Sequence, residues 1–198
     1  MLKIGITGNI GSGKTTVSKI FELLGIPVFY ADDAAKKVMT EDSLLINSLK
    51  KEFGEDAYLN DGTLNRKHIA TIVFNDAKEL IKLNSIVHPA VFRAFDNWVA
   101  LIKDAPYVLK EAALLFESTS NKMCDYSIMV TAPLELRIKR VMQRDGLSRT
   151  EVESRDSKQF PEEKKTQLAD YLIRNDDTEL VIPQVLALHR QLLAIAAK

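Results

Sequence analysis

Cysteine is almost missing from this 198-residue chain: Cys124 is the only one, so no intrachain disulfide can form and no C-x-x-C pair is present for zinc or dithiol chemistry. A lone thiol fits a reducing, cytoplasmic setting. An excess of either charge is missing too, because lysine plus arginine and aspartate plus glutamate both number 27. A net charge of zero favours neither nucleic acid nor an anionic membrane as the main partner, and leaves open a small anion bound locally. No apolar run approaches the roughly 20 residues of a membrane span. Met1 leads straight into an alternating segment, without the basic start, apolar stretch and cleavage site of a signal peptide, so a soluble cytoplasmic protein is expected. Internal repeats and low-complexity segments are also lacking.

What is present suffices for one well-buried α/β core with appendages, at 46% hydrophobic residues. Leu2, Ile4 and Ile6 alternate with Lys3, Gly5 and Thr7 as in a strand, and Val17, Ile20, Phe21 and Leu24 share a helical face. Gly25 is placed to end that helix, and Pro27 to Tyr30 complete a βαβ unit with parallel strands. From Asp32 to about Trp98 the chain is helical and polar, broken by a turn at Asn60, Asp61 and Gly62. Further strands are expected at Tyr107 to Lys110, Tyr126 to Thr131 and Tyr171 to Ile173, before a last helix that buries Val185, Leu188, Leu192 and Ile195. The expected fold is therefore a P-loop NTPase-type, doubly wound, mainly parallel five-stranded sheet with a helical insertion. Residues 144–166, charged and poor in apolar side chains, suit a mobile lid.

The strongest motif is Gly8-Asn9-Ile10-Gly11-Ser12-Gly13-Lys14-Thr15, a G-x-x-x-x-G-K-[ST] sequence between a strand and a helix. Its glycines let backbone N–H groups approach phosphates. Lys14 neutralises β and γ oxygens, Thr15 can ligate magnesium, and the helix N-terminus itself favours anions. Thr16 can add a contact to the α-phosphate.

Such a loop also serves guanine-nucleotide switches and motor ATPases. A switch would carry N-K-x-D, but Asn121-Lys122 is followed by Met123 and Cys124 with Asp125 one position late, and no D-x-x-G element occurs. A motor would end a strand in aspartate then glutamate, whereas the candidate strand here ends Leu109-Lys110-Glu111. A small-molecule kinase remains. It needs a group to deprotonate an acceptor hydroxyl, and Asp32, emerging after the second strand, is the candidate base, with a helix N-cap as its plain structural alternative. Arg137, Arg140 and Arg144 are expected on one helix face, opposite Leu134, Ile138 and Val141, either clamping the transferred phosphate or standing as a solvated basic face. His88 precedes Pro89, which predicts an extended or turn conformation there. Arg66, beside the Asp61-Gly62 turn, either binds an anionic substrate or is solvated.

The Thr7 to Thr16 loop, Ala31-Asp32, Leu64-Asn65-Arg66, Ile72-Val73-Phe74, His88-Pro89, Leu114-Leu115-Phe116-Glu117, Arg140 with Gln143-Arg144, Gln159, and Ala169-Asp170 with Asn175 together resemble the dephospho-coenzyme A kinase family in order and spacing. The resemblance runs nearly end to end. It implies transfer of the γ-phosphoryl of ATP, with Mg2+, to the ribose 3′-hydroxyl of dephospho-CoA, the last step of coenzyme A biosynthesis. A P-loop kinase for another nucleoside, nucleotide or small alcohol is the alternative. The implied layout is a nucleotide-binding core of residues 1–31, 99–143 and 167–198, a CoA-binding helical domain of 32–98 and a lid of 144–166, working as a monomer or small homo-oligomer. The implied catalytic residues are Asp32, Lys14 and Arg140. ATP would meet Gly8, Gly11, Ser12, Gly13, Lys14, Thr15, Thr16, Arg140 and Asn175; the acceptor would meet Asp32, Arg66, His88 and Glu117; magnesium would sit on Thr15, with Asp32 and Glu111 both eligible as a second ligand. The chain departs from the family pattern at Tyr30, where the family often has aspartate, and at Ala113, where it often has proline.

Overall fold

The computed structural model describes residues 1–73 and 76–198, in two compact units: residues 1–30 with 102–198, and residues 31–101. Phe74 of the Ile72-Val73-Phe74 motif lies outside the described residues.

The first unit is organised by a five-stranded sheet: β1 (Leu2–Thr7), β2 (Val28–Tyr30), β3 (Tyr107–Glu111), β4 (Tyr126–Thr131) and β5 (Tyr171–Arg174), in the order β2-β3-β1-β4-β5. Every neighbouring pair is parallel. Parallel strands are covered on both faces, which is why β3 and β4 carry near-continuous apolar runs, Tyr107-Val108-Leu109 and Ile128-Met129-Val130, with all six residues fully buried. Helices α1 (Lys14–Leu23) and α9 (Val181–Ala196) bring Val17, Phe21, Val185, Leu188 and Leu192 onto Ile4, Ile6, Leu109, Ile128 and Ile173 to form the main core. Further helices are α6 (Leu134–Asp145), α7 (Arg149–Asp156) and α8 (Glu162–Leu168). Because all strands run the same way, the loops after β1, β3 and β4 leave from one edge of the sheet, where ligands of such folds bind.

The second unit comprises α2 (Ala31–Glu41), α3 (Ser43–Phe53), a 3₁₀ turn at Glu55–Ala57, α4 (Arg66–Val73) and α5 (Ala77–Leu101). Asp42 caps α3 by accepting from the Leu45 N–H at 3.0 Å, and its other oxygen pairs with Arg93 of α5 at 2.6 Å. Leu45, Leu49, Phe53, Ile69, Val87 and Phe95 are buried in this unit. Between Tyr58 and Leu64 the chain reverses through a tight turn in which Gly62 has φ 81°.

Two local expectations change. Helix α5 continues through Pro89, so His88 is helical rather than extended, and its ring stacks on Phe92 one turn on at 6.2 Å. Pro89 removes one backbone donor and disfavours helix at the preceding residue, but a 25-residue helix supplies enough other hydrogen bonds to absorb that loss. Helix α2 begins at Ala31, directly after β2, so Asp32 lies inside the first turn instead of capping it.

Candidate functional site: a phosphate-binding loop

Residues 8–13 join β1 to α1 and place the P-loop at the ligand-binding edge of the sheet. The Ser12 N–H donates to the Asn9 carbonyl at 3.0 Å and turns the loop back on itself. Gly11 and Gly13 have φ of 80° and 88°, a region that side chains resist. Space requires glycine as well: a Cβ on Gly11 would run into the Arg137 carbonyl, and one on Gly13 into the Asn175 carboxamide. Helix α1 starts with no side-chain cap, so its first N–H groups remain available to an anion.

Around the loop lies a cleft of about 180 Å³ lined by Gly11, Gly13, Lys14, Thr15, Thr16 and the two arginines Arg140 and Arg144. Arg140 is fixed: it donates to the Asn175 carbonyl at 2.9 Å and to Asp177 at 2.8 Å. Asn175 in turn donates to the Ser12 carbonyl at 2.8 Å, so one residue braces both the P-loop and the arginine. Arg144 is more exposed and forms a two-point contact with Asp145.

Glu111 stands at the end of β3, in register with Ile6 of β1, and is buried. Its Oε1 accepts from the Thr15 hydroxyl at 3.2 Å and lies 3.5 Å from Lys14 Nζ. A hydroxyl and a carboxylate side by side offer the hard oxygen ligands that suit magnesium, which usually keeps several waters and takes its remaining ligands from substrate phosphates. No group of three or more acidic, histidine or cysteine side chains placed to hold a metal occurs among the described residues.

Arg137 keeps its place on the helix stripe of Arg140 and Arg144 but does not join them in the cleft. It is buried, donates to the Ala132 and Ile10 carbonyls, and pairs with Asp156 at 2.5 Å. At this end of α6 the stripe is covered by Ile10 and Asp156, and an arginine persists there because its Nε and Nη1 groups find acceptors. Segment 156–165 is tied to the same loop. Gln159 accepts from the Ile10 N–H at 2.8 Å, and Asn9 donates to Asp156 and to the Phe160 carbonyl. Val152 of α7 is buried with Ile138 and Val141, and Ile10 packs on the same cluster.

Glu117 sits at the root of this segment. Its Oε1 accepts from the Phe160 N–H at 2.7 Å and pairs at 2.9 Å with Lys165, which is fully buried and also donates to the Ala113 carbonyl. Burial holds the Lys165 ammonium below the usual lysine range, with Glu117 opposing that shift. Both hydrogen bonds of Glu117 Oε1 thus stay within its own unit, while its buried Oε2 makes none among the described residues. In the other unit, Asp32 and Arg66 are exposed at the starts of α2 and α4, and His88 is half-buried in α5. Asp33 pairs with Lys36 at 2.7 Å. Burial pushes the Cys124 thiol up to about 11, away from the thiolate form that reacts. Sequence reasoning missed the braces Asp156, Asp177 and Lys165, which carry no motif and become visible only once β4, α6 and β5 are assembled.

With that geometry in place, comparison with known proteins decides the lineage: a family profile described as dephospho-CoA kinase matches residues 2–180. The chain belongs to the dephospho-CoA kinase family. A dephospho-CoA kinase of Bacteroides fragilis is 37% identical over 187 residues, covering 94% of this chain and 91% of the relative. That of Salinibacter ruber is 41% identical over 180 residues, covering 90% of each. Among solved structures, the dephospho-CoA kinase from Campylobacter jejuni aligns with a TM-score of 0.69 at 26% identity, covering 99% of this chain and 98% of that one. A Thermus thermophilus protein aligns at 0.82 with 36% identity, covering 98% and 96%. A shikimate kinase from Acinetobacter baumannii, at 17% identity and 0.51, shares the P-loop kinase fold alone. The chain is accordingly an ATP-dependent dephospho-CoA kinase of coenzyme A biosynthesis.

Proposed function

We propose that this kinase moves the γ-phosphoryl of ATP to the ribose 3′-hydroxyl of dephospho-CoA through Asp32, Lys14 and Arg140, with Thr15 holding magnesium, in the cytoplasm. The observation that carries the reading is the shared cleft of Lys14, Thr15 and Arg140, with Arg140 braced through Asn175 to the P-loop itself. The Gly8 to Gly13 backbone, Ser12 and Thr16 cradle the phosphates, while Lys14 and Arg140 meet the charge that spreads over the transferred group. Magnesium, when bound, draws charge from the phosphate oxygens. Asp32, two residues beyond the end of β2, accepts the 3′-hydroxyl proton as the hydroxyl oxygen bonds to phosphorus and the bond to the bridging oxygen of ADP breaks. Arg66 and His88 contribute to acceptor binding, and the 144–166 segment excludes water from the cleft. Glu117 supports that segment from its root.

The test is incubation with ATP, magnesium and dephospho-CoA, with product mass and ADP release followed together. Coenzyme A formation, reduced by about 10² to 10⁴ in kcat in Asp32→Asn with nucleotide affinity kept, supports the assignment. A loss confined to KM removes Asp32 as the base, and ATP binding without product on this acceptor would turn the reading toward another nucleoside or nucleotide.

A further inference from the structure

We infer that Gln159 is a positioning residue for the nucleotide: by accepting from the Ile10 N–H it holds the P-loop in its phosphate-binding shape before ATP arrives. The inference rests on the reading of residues 8–15 as the nucleotide site and adds to it a residue that touches no phosphate.

The loop has two sides. One is the cleft, lined by Gly11, Gly13 and Lys14. The other is held by protein. The Ile10 N–H donates to Gln159 Oε1 at 2.8 Å, and the Ile10 carbonyl accepts from Arg137 Nη1 at 3.3 Å. Asn9, 2% exposed, donates to the Phe160 carbonyl at 3.1 Å and to Asp156 at 3.3 Å. Gln159 lies in the turn between α7 and α8, and its own N–H donates to the Asp156 carbonyl at 2.9 Å, so the turn that presents the acceptor is itself fixed. The Ile10 side chain packs on Ile138, Val141 and Val152, which sets loop and turn on one apolar base. Arg137, which meets the same residue, carries only donors; Gln159 supplies the acceptor that a backbone N–H needs.

Gly8, Gly11 and Gly13 give the loop much conformational freedom to lose. Order imposed only when ATP binds would be subtracted from the affinity, whereas order built beforehand is not. A pre-shaped cradle serves the bound ground state and the transition state alike, so its loss falls on nucleotide binding and leaves kcat in place. A closing lid behaves otherwise, because its failure lets water into the transfer step and lowers kcat.

The experiment compares the full chain as wild type, Gln159→Met and Gln159→Glu by calorimetric titration with ATP and ADP, by steady-state kinetics, and by amide hydrogen exchange of the nucleotide-free protein. Gln159→Met keeps the length and removes the acceptor. Both nucleotides should bind it about three- to tenfold more weakly, with the KM for ATP rising in step while kcat and the KM for dephospho-CoA keep their wild-type values. Its Ile10 amide should also exchange faster than in wild type. Gln159→Glu retains an acceptor oxygen and should bind within about twofold of wild type. A fall in kcat at unchanged nucleotide affinity would assign Gln159 to lid closure, and a lower Tm at unchanged affinity would make it a structural prop; either overturns the inference. So does a Gln159→Glu variant as weak as Gln159→Met. Should Gln159→Met not fold, an Ile10 amide that exchanges without protection in the free wild type overturns it equally. A wild type that binds neither nucleotide would remove the nucleotide site itself, and the inference with it.

Discussion

Replacing Lys165 by methionine removes a fully buried ammonium while keeping most of the side-chain volume, so the loss is electrostatic rather than a cavity. Two hydrogen bonds disappear, at 2.8 Å to the Ala113 carbonyl and 2.9 Å to Glu117. The carbonyl loses its partner in a water-poor place, and Glu117 keeps its charge with only the Phe160 N–H to meet it. Breaking a buried pair from one side costs about 3–5 kcal/mol. For a chain of this size that is a fall in Tm of roughly 12 °C, read by differential scanning calorimetry. Desolvation of a buried pair largely offsets its attraction, so the pair is not a large net stabiliser. Neutralising both partners in Lys165→Met with Glu117→Gln should therefore recover at least half of the loss, a coupling that a double-mutant cycle measures directly. Strictly additive single losses, or a Lys165→Met variant within about 1 kcal/mol of wild type, would refute the reasoning.

Three further perturbations have defined outcomes. Arg140→Ala should lower kcat by about 10³ if the guanidinium meets transition-state charge, with circular dichroism unchanged, and turnover near wild type would make it a structural brace to Asn175. Gly13→Ala forces a side chain into a left-handed conformation at about 1–2 kcal/mol and displaces Asn175 from Ser12, so ATP binding should weaken at least tenfold in a titration. Asp42 has its carboxyl held below the usual range, first by the Leu45 N–H and then by Arg93. Its stabilisation is present above about pH 4 and is lost as pH falls through the folded value, so the acid limb of a stability curve should flatten in Asp42→Ala, which also costs about 1 kcal/mol at neutral pH.

Much of the core was legible because its signals are local. The P-loop has fixed spacing, and all five strands begin and end within a residue of their hydrophobic runs, Leu2–Thr7 and Tyr126–Thr131 matching at both ends. Gly25, in a left-handed conformation after α1, stops the helix as glycine should. The arginines of α6 show where local reading ends. Arg137 and Arg144 are both arginines in one helix, yet Arg137 is buried because Asp156, from a helix 19 positions on, and the Ile10 carbonyl happen to face it. Nothing in the α6 sequence announces those acceptors. Pro89 illustrates the opposite error, a strong local signal overruled by the helix around it.

The chain leaves β2 at Tyr30 and re-enters its hydrogen-bonded neighbour β3 only at Tyr107, so the whole of unit 31–101 is topologically one crossover connection. A parallel crossover needs about a dozen residues. Lengthening one about sixfold adds only about 1.6 kcal/mol of closure entropy if the insert is flexible, and an insert with its own buried residues recovers more than that. A P-loop sheet can therefore host a helical unit at this junction almost without thermodynamic consequence for its own strands. Exchange of that unit for another, joined at residues 30 and 102, would leave the register of the five strands unchanged.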